Sequence, residues 1–226
     1  MIGQRRHTPE LAIEWQLEQP EKLWQVVDGT LCFADISGFT ALAERLAQQG
    51  RAGGEELIET LSRVFGGMLD RARERDGMLL KFGGDALLFL FRGDGHAHRA
   101  AGAAVEMRAA LRKAAEIPTS VGRLRLSMSV GLHSGPIHFF LVGSSHRELI
   151  LAGEDASMAA RTEGAAHAGE IAVSAATAAL LPASAVRPRD DGTLLLRWRQ
   201  AAGQPTPRRG EPPASPGLLS GLFPAQ

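Results

Sequence analysis

Two aspartates carry the chemistry that can be read from this sequence. Asp35 follows the apolar run Leu31-Cys32-Phe33-Ala34 and precedes Ile36-Ser37-Gly38-Phe39-Thr40, and Asp85 lies inside Lys81-Phe82-Gly83-Gly84-Asp85-Ala86-Leu87-Leu88-Phe89. A carboxylate set into an apolar strand is costly to desolvate unless a cation meets it, so two such strands side by side imply a shared positive partner. Hard divalent cations suit that role. Mg²⁺ is held by one or two protein carboxylates, with water and substrate phosphates completing its shell. Aspartate also ends strands and begins turns, and that plainer reading stands for either residue alone, though it weakens for the pair.

The elements that must position the two residues follow from periodicity. Residues 1–28 are polar with scattered apolar positions (Leu11, Ile13, Trp15, Leu17, Leu23, Trp24), and read as a lead-in helix broken at Pro20 that enters the domain or packs on a partner. Leu31–Ile36 reads as a buried strand, then Ser37-Gly38 turns into a helix over 39–48. The Gly50/Gly53/Gly54 break separates it from a second helix over 55–75, and Asp76-Gly77 ends that one. Strand 78–82, the Gly83-Gly84 turn and strand 86–91 form a hairpin, followed by an Ala-rich helix over 97–115. Alternation of Leu126/Met128/Val130/Leu132 with polar residues predicts a strand over 124–133. Ser134-Gly135-Pro136 then turns the chain into a strand over 137–142. Further strands are expected at 148–151, 170–173 and 194–198, with helices over 155–166 and up to Leu181.

This order contains the β-α-β-β-α-β signature of a ferredoxin-like, palm-type α+β sheet with helices on one face. In it the first strand and the central hairpin are neighbours, so Asp35 and Asp85 can flank one metal site with the Ile36 carbonyl as a further ligand. The turn Gly38-Phe39-Thr40 starts a helix whose first N–H groups can meet a phosphate. Such a site fits two-metal nucleotidyl chemistry, in which one ion activates a hydroxyl and the other neutralises a triphosphate.

Bulk properties narrow the field. The 226 residues suit one domain with extensions, and 44% hydrophobic content suffices for a core. Lys+Arg and Asp+Glu balance at 25 each, so no global field draws the chain to nucleic acid or an anionic membrane. The single Cys32 excludes an internal disulfide and agrees with a reducing, cytoplasmic setting. No apolar run reaches the roughly 18 residues that span a bilayer, and the first residues lack a signal-peptide core, so the chain reads as soluble. We expect a lead-in over 1–28, a catalytic domain over 29–199 and a Pro/Gly/Arg-rich linker or tail over 200–226, whose apolar stub 218–223 resembles the start of a further segment.

Phe33-Ala34-Asp35-Ile36-Ser37-Gly38-Phe39-Thr40 and Lys81-Phe82-Gly83-Gly84-Asp85 resemble the FxDIxGFT and KxxGD motifs of the class III adenylyl/guanylyl cyclase catalytic domain. Gly131-Leu132-His133-Ser134-Gly135-Pro136 is similar to its GxHxGP segment, and Gly153 to Arg161 to its GxxVNxAxR helix. The resemblance covers about residues 29–181. Its flavour is nearest the first catalytic half of soluble, bicarbonate-responsive adenylyl cyclases. It implies conversion of ATP to cyclic AMP and pyrophosphate at a site between two cyclase domains, either a homodimer or a complementary pair. Asp35, Asp85 and the Ile36 carbonyl would hold two Mg²⁺ or Mn²⁺ ions, Lys81 would read the base, and Arg161 would stabilise charge on the α-phosphate. In the same comparison Ser157 stands where the family has a ribose-orienting asparagine, and Ile150 where it has a base-reading Asp or Thr. Ile150 can neither donate nor accept a hydrogen bond, which removes a discriminating contact.

These departures leave a second reading open: a weak or inactive pseudo-cyclase half that binds nucleotide, or an anion such as bicarbonate, and complements a partner domain. A diguanylate cyclase is a third, since Gly83-Gly84-Asp85-Ala86-Leu87 resembles its hairpin, but Ala86 replaces the acidic residue expected there. His133 reads as a structural hydrogen-bonding residue, and His96/His98 as part of a surface loop.

Overall fold

The computed structural model describes residues 9–114, 118–123, 126–143 and 147–197. The tail expected from residue 200, with its apolar stub, lies outside the described residues.

Helix α1 (Glu10–Glu18) stops short of Pro20, and strand β1 (Trp24–Ser37) begins soon after it. The strand therefore starts well before the Leu31 expected from sequence. Its first half alternates exposed Trp24, Val26 and Asp28 with half-buried Gln25 and Val27, a period-two pattern that a helix reading of 1–28 absorbs wrongly. Helix α2 (Phe39–Ala47) and helix α3 (Gly50–Arg73) meet at Gly50, whose φ is +67°. The glycines expected to form a loop instead open α3. A Cβ on Gly53 would lie 1.9 Å from the Leu46 carbonyl oxygen, so the missing side chain lets the two helices close on each other.

Strands β2 (Met78–Gly83) and β3 (Ala86–Arg92) form the expected hairpin, and helix α4 (His96–Ala114) follows. His96 and His98 thus lie in the first turn of α4 rather than in a loop. A small hairpin, β4 (Pro118–Thr119) with β5 (Gly122–Arg123), precedes the long strand β6 (Ser127–Val142). The turn expected at Ser134-Gly135-Pro136 is absent. These residues continue β6 opposite Thr30, Gly29 and Asp28 of β1. Pro136 is tolerated because β6 has only β1 beside it there, between the stretches paired to later strands.

The remaining elements are β7 (Glu148–Ala152), α5 (Glu154–Gly164), β8 (Ile171–Val173), α6 (Ala175–Ala179), a 3₁₀ turn (Ala183–Ala185), β9 (Val186–Pro188) and β10 (Leu194–Leu196). The sheet runs β2-β3-β1-β6-β8-β10-β9, with β7 on β6. Its first four strands are antiparallel in the ferredoxin-like order, which makes β3 and β6 the two neighbours of β1.

The helices inside the βαββαβ unit share one face. Leu61, Val64, Phe65, Met68 and Leu69 of α3 and Ala100, Ala104, Met107 and Leu111 of α4 pack on Cys32, Ala34, Ile36, Phe89, Phe91 and Val130. Alternate residues of the same strands, Leu31, Leu90, Ile137 and Phe139, face the other way, where Leu11, Ala12 and Trp15 of α1 and Ala159 of α5 cover them. The lead-in helix therefore packs on its own sheet. Burial also pushes the Cys32 thiol up to about 12, which leaves it inert.

Candidate active site

Strand register brings Asp35 and Asp85 together. Asp35 pairs with Ala86 across β1 and β3, and Gly83 pairs with Ala86 across the hairpin, so Gly84-Asp85 is a two-residue turn beside the end of β1. Gly84 supplies the positive φ, +67°, at the first turn position. The Ile36 N–H donates to the Asp85 carbonyl oxygen at 3.1 Å, tying the turn to the residue that follows Asp35. Asp35 is half-buried, and its carboxyl is held above the usual carboxylate range first by that burial and then by the negative charge of Asp85. A cation would relieve both effects. Among the described residues no group of three or more His, Cys, Asp or Glu gathers to hold a metal. An ion here depends on the two aspartates with backbone, water or phosphate oxygens, an all-oxygen donor set that fits Mg²⁺ or Mn²⁺.

Lys81 reaches the same face by a register shift. Between Leu79 and Lys81 the pairing of β2 with β3 slips, so Leu80 and Lys81 both lie on the α1 side, and Lys81 stands opposite Leu88, itself opposite Phe33. Asp35 lies one same-face step further along β1. Gly38, at φ +92°, starts α2 without a side-chain cap, so the first-turn N–H groups of Phe39 and Thr40 have no intrahelical acceptor.

The other expected residues are elsewhere. Ile150 lies on β7 opposite Phe140, exposed in an apolar strip with Trp24, Val26 and Val142. Ser157 and Arg161 are exposed on α5, and the Ser157 hydroxyl donates back to the Gly153 carbonyl at 3.1 Å. Among the described residues no hydrogen bond or ion pair joins Ile150, Ser157 or Arg161 to Asp35, Asp85 or Lys81. Ile150 on β7 and Ser157 and Arg161 on α5 thus make no direct contact with the aspartate pair.

His133 has the structural hydrogen-bonding role expected of it, within a buried polar network whose other members escaped the sequence reading. His133, 6% exposed, contacts Asp155 Oδ1 through Nε2 at 2.9 Å and Ser174 Oγ through Nδ1 at 2.9 Å. Ser174 caps α6 by accepting from the Thr177 N–H, and Thr177 Oγ1 bonds the Leu132 carbonyl and lies 3.0 Å from Ser134 Oγ. Ser134 meets Thr30 at 2.8 Å, and Thr30 meets His96 Nδ1 at 2.6 Å. Burial lowers the His96 pKa, opposed by Asp28 and aided by Arg99. The signal for Asp155 was weak, because an acidic residue in a first helical turn is explained by the helix dipole alone.

A palm-type sheet that ends its first strand and central hairpin in adjacent carboxylates defines a nucleotidyl-type domain. Residues 24–203 match the adenylate and guanylate cyclase catalytic domain, and the chain belongs to that family. It is 36% identical over 88 residues to human adenylate cyclase type 10, a match that spans 38% of this chain and 6% of that protein. The fold is similar to the adenylyl cyclase CyaB from P. aeruginosa, with a TM-score of 0.62 and 23% identity over 80% of this chain and 99% of that one. It is equally similar to the monomeric guanylyl cyclase domain of the RhoGC fusion protein from Blastocladiella emersonii, with a TM-score of 0.63 and 23% identity over 79% of this chain and all of the other. Among the described residues, no helix is long and apolar enough to cross a membrane.

Proposed function

We propose that this domain is the metal-holding half of an adenylate cyclase, joining the ribose 3′-hydroxyl of ATP to its α-phosphate with release of pyrophosphate. The observation that carries this reading is the pairing of Asp35 with Asp85, whose charges are unfavourable together without a cation. Two Mg²⁺ or Mn²⁺ ions held by Asp35, Asp85 and the Ile36 carbonyl would neutralise phosphate charge and activate the hydroxyl when bound. In a homodimer the aspartates and the α2 N-terminus of one copy work with Lys81, Ser157 and Arg161 of the other. The α2 N-terminus at Gly38, Phe39 and Thr40 receives phosphate oxygens, and Lys81 contacts the purine edge and favours ATP over GTP. Arg161 supplies a fixed positive charge toward the α-phosphate, and Ser157 stands at the ribose.

Separation of these residues into two sets supports a site completed between two cyclase domains, either two copies or a complementary pair. Ile150 and Ser157 favour the complementary pair. An isoleucine in an apolar strip offers no hydrogen bond to a base, and a serine bonded to its own helix is short for a ribose. The same two observations support the second reading, a pseudo-cyclase half that binds nucleotide or an anion such as bicarbonate and regulates its partner. A cytoplasmic setting accords with the inert single cysteine.

The test is a Mn²⁺ assay with ATP and with GTP, on the chain alone and mixed with a complementary cyclase domain. Metal-bound charge stabilisation amounts to several kcal/mol, so Asp35→Ala and Asp85→Ala should each lower turnover by about a hundredfold or more. Turnover that survives both changes removes the metal assignment. Activity confined to the mixture establishes the half-site reading, and nucleotide binding without turnover in either arrangement establishes the pseudo-cyclase.

A further inference from the structure

We propose that His133 and Asp155 form a positioning pair that fixes where α5 presents Ser157 and Arg161; this rests on the cyclase reading of α5. Helix α5 has 11 residues, of which only Ala159 and Thr162 are buried. One alanine methyl and one threonine give little apolar anchorage, and Thr162 spends its hydroxyl on the Met158 carbonyl at 2.7 Å. Buried side chains alone therefore give α5 few points that fix its position along β6.

Polar contacts at its two ends add such points. In the first turn Asp155 Oδ1 meets His133 Nε2 at 2.9 Å, and near the last turn Ser129 Oγ donates to Glu163 Oε1 at 2.6 Å. Both β6 partners are backed by glycine. A Cβ on Gly135 would lie 2.4 Å from Asp155 Oδ1, and one on Gly131 would lie 2.2 Å from the Glu163 nitrogen. By the 3.6-residue period, Asp155, Ala159, Thr162 and Glu163 share the side turned to β6, and Ser157 and Arg161 fall on the opposite side. A shift at Asp155 is therefore passed rigidly to Ser157 and Arg161.

The first-turn clamp is itself held. An ionised Asp155 only accepts, so the His133 proton facing it is on Nε2, and Nδ1 is left to Ser174. Ser174 is the α6 cap, tied through Thr177 to the Leu132 carbonyl and through Ser134 to Thr30 of β1. His133 thus cannot turn away without breaking its bonds to Asp155 and to the Ser174 hydroxyl, which is itself held in place. Asp155 acts through α5 and touches no reacting atom.

The test compares the full chain with Asp155→Ala and with Asp155→Asn, whose side-chain carbonyl still accepts from His133. Amide exchange over 154–164 should quicken about tenfold in Asp155→Ala, stay near normal in Asp155→Asn, and leave β1 and β3 unchanged. In the cyclase assay, Asp155→Ala should lower kcat about tenfold with little change in KM, and should add nothing to Arg161→Ala when the two are combined. Unchanged exchange in Asp155→Ala overturns the proposal, as does a loss that multiplies fully with that of Arg161→Ala. Where Arg161→Ala has no effect, or nothing turns over, the cyclase reading of α5 fails; exchange alone then decides the clamp.

Discussion

The two flanks of β1 are held by different kinds of bond. On the β3 side, Asp35 and Asp85 are placed by backbone: strand register, a two-residue turn and the bond from the Ile36 N–H to the Asp85 carbonyl. On the β6 side, α5 is placed by side chains, through His133–Asp155 and Ser129–Glu163, with a close backbone approach at Gly131. Backbone placement survives most changes of side chain, because the ladder that sets it does not depend on them. Side-chain placement can be lost with one residue. The carboxylate side of the domain is thus robust to side-chain change and the α5 side is open to it.

The largest effect that separates the halves is expected from Gly131→Ala. Its Cβ would meet the Glu163 backbone, which cannot yield as a flexible side chain does, so α5 must move off β6. Overpacking of this kind costs about 1–3 kcal/mol. Denaturant unfolding should show that loss, and turnover dependent on Arg161 should fall. Mn²⁺ should still raise the thermal midpoint, because the register at Asp35 and Asp85 is untouched. A variant that loses the Mn²⁺ response as well would show that the halves are not independent.

Gains of function probe the adjustable half. Ser157→Asn restores a longer hydrogen-bonding side chain, and Ile150→Asp restores a polar group, both at exposed positions where substitution costs within about 0.5 kcal/mol. A hydrogen bond to substrate contributes about 0.5–1.5 kcal/mol, so each change should raise turnover of two assembled copies about two- to tenfold. A rise in the homomeric assembly favours divergence of an ancestral symmetric site. No rise places the productive second half in another domain.

The same contrast explains what the sequence made legible. Asp35 and Asp85 stood out because backbone-built sites are written in contiguous residues: an apolar strand that ends in a carboxylate, and a glycine turn that carries one. Asp155 did not, because its partner His133 lies 22 residues away and Ser174 lies 41 from His133. Local pattern also failed where pairing overrode it. Ser134-Gly135-Pro136 has turn chemistry, yet its residues extend β6 because β1 runs unbroken opposite them. The first half of β1 was hidden for the same reason: Trp24 to Asp28 becomes a strand through its pairing with Pro136 to Phe140.

The smallest effect concerns the carboxylate pair without its cation. Burial and then Asp85 raise the Asp35 pKa above its unfolded value. The folded metal-free protein therefore binds a proton more readily than the unfolded chain, and its stability falls as pH rises through that window. Asp35→Asn removes the titration, so the metal-free variant should be the more stable protein at pH 7, with a slightly higher thermal midpoint. Mn²⁺ should reverse the order: it stabilises the parent at pH 7, does less at acid pH where Asp35 takes up its proton, and does little for Asp35→Asn at either pH. Thermal scans with and without Mn²⁺ at the two pH values read this directly. An Asp35→Asn protein less stable than the metal-free parent at pH 7 would mean that something other than a bound cation compensates this carboxylate, and the backbone-built half would then be a structural corner of the sheet.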